Sequence, residues 1–263
     1  MIPTLMAPPA PIPAMVLAAG RGERMRPLTD HCPKPLLTVR GKPLLQWLLD
    51  ALARDGVQRV VLNTAWLDAQ LMDYFSNPSA PMSLSVAYSH EGRDFGAALE
   101  TAGGIARALP LLCPAENKDA NRGVFWVLAA DVFVPDFVFS KAAVDRFVAS
   151  DKLAHLWLVA NPAHNPKGDF GLSAPDSDGV ALALNLALDD PRLRYTYATI
   201  GLYREALFAP PHTPIPAGNL QGIKAPLAPL LRAAMDNGEV SAELYDGAWT
   251  DVGTPQRLAQ LNP

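Results

Sequence analysis

The sequence predicts an α/β fold of the Rossmann-like type, in which helices cover both faces of a mixed, mostly parallel β-sheet. Apolar runs of strand length alternate with segments of helical periodicity between residues 14 and 90, which is the order of a parallel sheet. Residues 124–129 are apolar at every position, which is typical of a strand buried on both faces. In such sheets ligands bind beyond the carboxyl ends of the strands, so candidate site residues are expected there.

The elements of the first half follow in a regular strand–helix order. Residues 14–18 form the first apolar run, and Leu44, Leu48 and Leu52 recur at helical spacing before Gly56 ends that helix. A strand at 57–62, a helix at 67–75 and an alternating strand at 84–88 follow. Strands joined by helices in this way run parallel, because each connection must cross back over the sheet.

The second half is predicted from the same periodicities. It contains helices near 105–109, 141–149, 226–235 and 256–261, and strands at 124–129, 155–160, 168–173, 194–203 and 240–245. Two stretches without periodicity, 113–123 and 209–222, are predicted loop insertions. The aromatic residues Tyr195 and Tyr197 alternate along one strand, a pattern more typical of a core than of a ligand platform.

Composition excludes several classes of protein. A net charge of −4 argues against broad binding of nucleic acid or anionic membranes, and no charge-free stretch approaches membrane length. Cys32 and Cys113 form no CxxC pair and are expected to be reduced thiols. Residues 1–13 hold five prolines and no basic signal-peptide region, which predicts a flexible tail before a single domain at 14–263. The protein is expected to be cytoplasmic.

A glycine-rich basic loop follows the first strand. Gly20 and Gly22 allow a tight bend whose N–H groups can approach an anion. The loop also carries four cations (Arg21, Arg24, Arg26 and Lys34), and prolines at 27, 33 and 35 prevent a long helix. The spacing matches neither the P-loop nor the dinucleotide motif. From these residues alone, phosphate binding and an ordinary turn with solvated arginines remain equally open.

Three aspartates stand where strands meet turns. Asp131 follows the apolar run 124–129, where a carboxylate is well placed to hold Mg²⁺ or to cap the next turn. Asp169 begins a strand and is consistent with a turn cap. Asp251 precedes the last helix, for which capping is the preferred interpretation from the residues alone.

Several motifs resemble the signature of the sugar-1-phosphate nucleotidyltransferases. The first three are Leu17-Ala-Ala-Gly-x-Gly-x-Arg-Met-x-Pro-Leu-Thr29, Pro33-Lys-Pro-Leu36 and Val39-x-Gly-Lys-Pro-Leu-Leu45. Leu99-Glu-Thr-Ala-Gly-Gly-Ile105 and Trp249-x-Asp-x-Gly-Thr-Pro255 resemble later segments of the family. The resemblance covers the chain except the tail and the two insertions, and it implies the nucleotide-diphospho-sugar transferase fold.

The resemblance also implies roles for individual residues. The first half would bind the nucleotide and the second half the sugar. Arg24 and Lys34 would stabilise the reacting phosphates, and Asp131 and Asp251 would hold Mg²⁺. The nucleotide would contact Gly20, Arg21, Gly22, Glu23, Arg24, Lys34, Glu100 and Thr101, and the sugar Asp169 and Asp251.

The implied reaction is attack of a sugar 1-phosphate on a nucleoside triphosphate. Leu-Glu-Thr-x-Gly-Gly and Gly-Asp-Phe are similar to the branch that joins UTP to N-acetylmuramate 1-phosphate in peptidoglycan recycling. Guanylyl transfer to mannose or heptose 1-phosphate, thymidylyl transfer to glucose 1-phosphate, and a silent nucleotide-sugar-binding regulator are the alternatives. Ala129 and Ala130 stand where relatives often have Asn-Gly, so a sugar contact through asparagine is expected to be lost.

Overall fold

A nine-stranded β-sheet organises the computed structural model, which describes residues 11–76, 84–115 and 122–262. The strands, in chain order, are β1 (Ala14–Leu17), β2 (Thr38–Val39), β3 (Lys42–Pro43), β4 (Arg59–Thr64), β5 (Ser85–His90), β6 (Val124–Ala129), β7 (Val132–Phe133), β8 (Ala154–Val159), β9 (Phe170–Leu172), β10 (Ala181–Leu184), β11 (Arg194–Arg204), β12 (Val240–Leu244) and β13 (Thr250–Asp251). The α-helices are α1 (Leu44–Arg54), α2 (Asp68–Ser76), α3 (Glu91–Phe95), α4 (Glu100–Leu112), α5 (Lys141–Ala149), α6 (Leu227–Asp236) and α7 (Pro255–Leu261).

The large sheet has the strand order β5-β4-β1-β6-β11-β8-β12-β10-β9. The four strands β5, β4, β1 and β6 are parallel, as the helical crossovers of the first half predict. Strand β11 runs antiparallel to both of its main neighbours, and β12 pairs with β8 in parallel. The mixed α/β class is thus confirmed, with the parallel core in the first half of the chain.

The sheet separates two apolar cores, and β6 contributes to both. Trp126 and Leu128 point to one side, where they join α1 and α5, whereas Phe125 and Val127 point to the other, beside α4 and α6. This alternation follows from the period of two in a strand, and burial of both faces explains why β6 is apolar throughout. No helix within the described ranges is both long and apolar enough to cross a membrane.

The residues just before β1 are packed against the sheet. Ile12 and Pro13 are buried, and the backbone N–H of Trp126 donates to the Pro13 carbonyl at 3.0 Å. Ile12 and Pro13, which belong to the predicted tail, are therefore packed at the sheet, and the division into tail and domain stays a prediction. The rest of the tail, 1–10, and residues 116–121 of the first predicted insertion lie outside the described residues. Residues 209–222 are irregular, as predicted.

Helix α4 begins at Glu100, five residues before the predicted start near Ile105. The glycines that suggested a loop are packed inside the helix instead. A Cβ at Gly103 would collide with the backbone carbonyl of Ile223, and one at Gly104 would lie 2.5 Å from Glu91 Oε1. Glycine is therefore required here for close approach rather than for chain flexibility. The structure also contains elements that the sequence did not predict, namely α3, β10 and the short pairs β2–β3 and β7–β13.

Candidate active site

The glycine–arginine loop, defined here as residues 18–35, leaves the carboxyl end of β1 and contains three short 3₁₀ turns, the last of which extends to Leu36. Gly22 adopts a positive φ of 69°, which glycine tolerates at no steric cost. The Thr29 hydroxyl donates to the Gly22 carbonyl at 2.8 Å and so fixes one turn against another. A Cβ at Gly20 would meet no protein atom within 4 Å, although Gly20 lines the cavity described next.

Arg21 has a structural task within this loop. Its guanidinium donates to the Thr29 carbonyl at 2.8 Å and to Asp30 at 3.0 Å, and it stacks over the Trp66 ring at 3.6 Å. The hydrogen bond from Arg21 lowers the pKa of Asp30 below its ordinary value. Arg21 lines neither of the two cavities described below, so its contact with a nucleotide stays a prediction.

A cavity of about 390 Å³ lies between this loop and the carboxyl ends of β1 and β6. It brings together seven of the eight residues predicted to bind nucleotide, which are Gly20, Gly22, Glu23, Arg24, Lys34, Glu100 and Thr101. Arg24 is exposed at this cavity and forms no ion pair with any carboxylate in the described part of the chain. Its charge is thus available to an anionic ligand.

Lys34 is the buried cation of the cavity. Its side chain is only 10% exposed, and its ammonium lies 2.6 Å from Asp131 Oδ2. The third 3₁₀ turn, Lys34–Leu36, places Lys34, while Asp131 sits in the tight turn between β6 and β7. A lysine and a carboxylate 97 positions apart in sequence therefore share the floor of one cavity.

Asp251 is brought beside Asp131 by the pairing of β13 with β7. Asp251 lies opposite Val132, and the N–H of Val252 donates to the Asp131 carbonyl at 2.9 Å. Oδ2 of Asp251 accepts from Arg257 at 2.9 Å and lies 3.3 Å from His164 Nε2. Oδ1 is buried and has no hydrogen-bond partner among the described residues, so it can accept a further ligand.

The donor set of this pair suits a hard cation such as Mg²⁺. Asp131 lies in the turn between β6 and β7, and Asp251 lies on β13, although Asp251 lines neither of the two cavities of the site. Magnesium sites in proteins commonly use one or two carboxylates, with substrate phosphates and water completing the octahedron. Within residues 11–76, 84–115 and 122–262, no group of three or more His, Cys, Asp or Glu side chains is arranged to hold a metal alone. Any metal here would depend on the substrate for its remaining ligands.

A second cavity, of about 630 Å³, adjoins the first. Leu17, Glu100, Thr101, Ala129 and Asp131 line both cavities, so the two spaces meet at the carboxyl ends of β1 and β6. The walls of the second come from Asp169 and Phe170, from Tyr197 and Thr199 on β11, and from helix α6. Ala130 lines only the first cavity, so the small pair that replaces Asn-Gly lies close to where the cavities join.

Asp169 lines the second cavity but also secures a turn. Its Oδ2 accepts the backbone N–H of Tyr197 at 2.8 Å, and its Oδ1 accepts from the Asn165 amide at 3.2 Å. Asp169 therefore connects the start of β9 to β11, while a contact with a sugar stays a prediction. Tyr197 is partly core, because its hydroxyl pairs with that of Tyr203 at 2.7 Å, yet it also forms part of the cavity wall.

Two non-glycine residues with positive φ lie at these cavities. Glu100 has φ 59° at the start of α4, and Thr199 has φ 57° within a register shift of β11 against β8. A β-branched residue with a positive φ, such as Thr199, has a strained backbone. Such strain is found most often at functional sites, where the surrounding structure holds the residue in place. The bulge places Thr199 in the wall of the second cavity.

A buried hydrogen-bond chain that sequence reasoning missed supports the first cavity. The N–H of Ala18 donates to Asn63 Oδ1 at 2.7 Å, Asn63 Nδ2 donates to Glu91 Oε1 at 2.8 Å, and the N–H of Leu99 donates to Glu91 Oε2 at 2.7 Å. Glu91 is 0% exposed, and its burial raises the pKa of its carboxyl group above the ordinary value. These three hydrogen bonds connect the glycine–arginine loop to the start of α4.

The chain is similar to known nucleotidyl transferases. The family model described as nucleotidyl transferase matches residues 13–263, so the chain belongs to the nucleotidyl transferase family. The sequence is 44% identical over 94% of this chain and 95% of its relative to an N-acetylmuramate α-1-phosphate uridylyltransferase of Neisseria meningitidis.

More distant proteins agree with this class. A Caulobacter vibrioides protein of the same description is 31% identical over 94% of each chain. Among solved structures, a UDP-glucose pyrophosphorylase from Acinetobacter baumanii superposes with a TM-score of 0.72 at 16% identity, covering 95% of this chain and 92% of that one. At that identity the likeness supports the fold alone.

Proposed function

We propose that this protein transfers the uridylyl group of UTP to N-acetylmuramate 1-phosphate and releases pyrophosphate. The observation that carries the proposal is the junction of two cavities at Asp131, with the Lys34 ammonium beside it. A transfer between two substrates needs such a junction, because the attacking oxygen of the sugar phosphate and the leaving oxygen of pyrophosphate must lie in line at one phosphorus. The full-length similarity to the Neisseria enzyme supports the choice of base and sugar.

Arg24 and Lys34, which line the first cavity, would stabilise the charge of different phosphates. Arg24, exposed and free of ion pairs among the described residues, would bind the outer phosphates of the triphosphate. Lys34, held in the floor, would face the α-phosphate and stabilise charge that develops on its oxygens. Backbone N–H groups near Gly20 can approach closely, since a side chain there would occupy the ligand's space.

The attacking group needs no general base. A sugar phosphate is already ionised at neutral pH, so its oxygen can attack the α-phosphorus directly and pyrophosphate leaves with the bonding electrons. The cost of the reaction lies in bringing two anions together, which Arg24, Lys34 and a metal offset.

Asp131 and Asp251 would hold Mg²⁺ in this proposal. The unpartnered, buried Oδ1 of Asp251 and its position beside Asp131 support the assignment. When bound, the ion would neutralise phosphate charge and orient the phosphates. The Lys34 ammonium, which now pairs with Asp131, would then pair with the substrate phosphates, and the Asp131 carboxylate would bind the ion.

The test is pyrophosphate release from a matrix of UTP, GTP, TTP, CTP and ATP against N-acetylmuramate, N-acetylglucosamine, glucose and mannose 1-phosphates, with Mg²⁺. Turnover concentrated on UTP with N-acetylmuramate 1-phosphate is the expected result. Turnover only with GTP and mannose 1-phosphate would overturn the substrate and keep the reaction class. Silence in every well, in protein that binds UTP, would favour a regulatory nucleotide-sugar-binding protein.

We also propose that the reaction belongs to cell-wall metabolism. A uridine diphosphate sugar that carries N-acetylmuramate is an activated precursor of peptidoglycan, which supports a role in recycling wall sugars in the cytoplasm. Deleting the gene is expected to lower this product in cells fed with labelled wall fragments. An unchanged labelled pool would contradict the recycling role.

A further inference from the structure

Arg232 on helix α6 is a half-buried cation in the wall of the second cavity. Its Nη1 donates to Asn185 Oδ1 at 2.8 Å, and its Nη2 lies 3.4 Å from the backbone carbonyl of Asp169. The guanidinium carbon stands 5.1 Å from the centre of the Phe170 ring. Neutral groups therefore hold the head group in place and leave its charge uncompensated.

The charges around this cavity make Arg232 distinctive. Among the described residues that line it, Glu100, Asp131 and Asp169 carry carboxylates and Arg232 alone carries a cation. No carboxylate in the described ranges forms an ion pair with Arg232, and nearby Asp236 instead accepts from Asn185 at 3.0 and 3.1 Å. A guanidinium held in place without a counter-ion is suited to bind a planar carboxylate.

The position of Arg232 separates it from the phosphate chemistry. Lys34 and Arg24 line the first cavity, and Asp131 lines both, so the reacting phosphates belong at the junction. Arg232 lines only the second cavity, where the sugar would lie. The group it meets should therefore be an anion on the sugar itself.

N-acetylmuramate carries such an anion. It differs from N-acetylglucosamine by a lactyl ether on O3, which ends in a carboxylate. We propose that Arg232 binds the lactyl carboxylate and thereby selects N-acetylmuramate 1-phosphate over N-acetylglucosamine 1-phosphate. This inference rests on the proposed function, since it assigns a specificity contact within the same site.

The experiment measures kcat/KM with UTP and each of the two sugar phosphates. Arg232→Gln is expected to lower kcat/KM for N-acetylmuramate 1-phosphate about ten- to a hundredfold, because a charged hydrogen bond is lost. The value for N-acetylglucosamine 1-phosphate and the KM for UTP should remain within about threefold. Arg232→Lys should give an intermediate loss, since it keeps the charge without the planar fork.

Arg146→Gln is the matched control, because Arg146 is also a helix arginine but pairs with Glu243 at 3.5 Å and lines neither cavity. This variant should behave as the wild type. An equal loss of both sugars in Arg232→Gln, or no loss of either, would overturn the inference while the wild-type activity upholds the proposed function. A wild type that ignores N-acetylmuramate 1-phosphate would overturn both.

A chemical test covers the case in which Arg232→Gln fails to fold. The methyl ester of the lactyl carboxylate removes the charge from the substrate rather than from the protein. Wild-type kcat/KM for the ester should fall by the same ten- to hundredfold factor, about that of one charged hydrogen bond. An ester that reacts as well as the free acid would overturn the role of Arg232.

Discussion

Lys34 shows how one residue serves both the resting structure and the proposed chemistry. Its side chain is 10% exposed and its ammonium is paired with Asp131 at 2.6 Å, so the cation is already oriented toward the junction. Preorganised charge of this kind stabilises developing negative charge without reorganisation during the reaction. A charge at this position should therefore matter more for turnover than for folding.

Lys34→Ala should lower kcat about a hundredfold or more while the protein stays folded. Lys42→Ala is a matched control, since Lys42 pairs with Asp50 at 2.7 Å on the surface and lines neither cavity. Steady-state pyrophosphate release with circular dichroism distinguishes the two. A Lys34→Ala enzyme as fast as the Lys42→Ala enzyme would contradict the role of Lys34.

Glu91 predicts a pH dependence of stability. Burial raises its pKa in the folded protein above 4.5, so the folded state takes up this proton at a higher pH than the unfolded chain does. The free energy of unfolding contributed by Glu91 therefore increases as pH falls from neutral through the folded pKa, and it levels off below about 4.5.

Glu91→Gln removes this titration. Asn63 and Leu99 each donate a hydrogen bond to one carboxylate oxygen of Glu91, so the NH₂ group of the new glutamine would face one of these donors. We expect a loss of about 1–3 kcal/mol at neutral pH. The gap between wild type and variant should widen as the pH is lowered toward 4.5, as followed by urea unfolding. A gap that narrows over that range would refute the sign of the pKa shift.

Gly103 and Gly104 allow the first turns of helix α4 to pack closely against neighbouring segments. The N–H groups of Ala102 and Gly103 donate to the Ala225 carbonyl at 2.9 and 3.1 Å, so the helix start is joined to the segment that precedes α6. Asn219, 0% exposed, donates to the Gly103 carbonyl at 3.0 Å and strengthens this connection. The element thus links the walls of both cavities.

Gly103→Ala should destabilise the protein by about 1–3 kcal/mol, because overpacking against a backbone carbonyl cannot be relieved by a side-chain movement. Gly20→Ala is the contrast, since its added methyl would meet no protein atom within 4 Å. It should keep wild-type unfolding while UTP binding weakens. Denaturation curves and titration calorimetry measure the two effects, and equal stability of both variants would contradict the packing argument.

The elements that sequence predicts well are those whose signal is local. Strand β6 was predicted because burial on both faces makes it apolar at every position. The glycine–arginine loop was predicted because its repeated prolines prevent a long helix. The hydrogen-bond chain through Asn63 and Glu91 was missed, since its members lie 28 and 45 positions from their partners. Arg232 gave no local signal either, because its importance comes from the cavity that it faces.

The misread start of α4 has a different cause. Glycine weakens a helix, so Gly103 and Gly104 suggested a loop on propensity alone. Tertiary packing overrides that preference, because Ile223 and Glu91 leave no room for a larger residue. The Asp131 and Asp251 pair was suggested by resemblance, yet only the pairing of β13 with β7 brings the two residues side by side.

At the scale of the whole molecule, the proposed metal site joins segments from both halves of the chain. Chelation with EDTA should abolish pyrophosphate release, and added Mg²⁺ should restore it. Asp251→Asn should raise the Mg²⁺ concentration for half-maximal activity about tenfold or more. Asp145→Asn, on the surface of α5 beside Lys141, is the control.

A readout independent of turnover strengthens this test. Mn²⁺ bound in the presence of UTP can be counted by electron paramagnetic resonance in the wild type and both variants. Weaker binding in Asp251→Asn alone is expected, and full binding with an unchanged Mg²⁺ requirement would exclude Asp251 as a ligand.

The pairing of β13 with β7 has a consequence for the growing polypeptide. Asp251 is synthesised about 120 residues after Asp131, an interval of roughly 6–24 s at the usual rates of translation. Asn262 then fastens this last segment to the hairpin after the glycine–arginine loop, accepting from the Arg40 N–H at 2.6 Å and donating to the Thr38 carbonyl at 2.9 Å. A nascent chain on the ribosome thus contains Lys34 and Asp131 before Asp251 has been made, so the proposed metal site can form only late in synthesis.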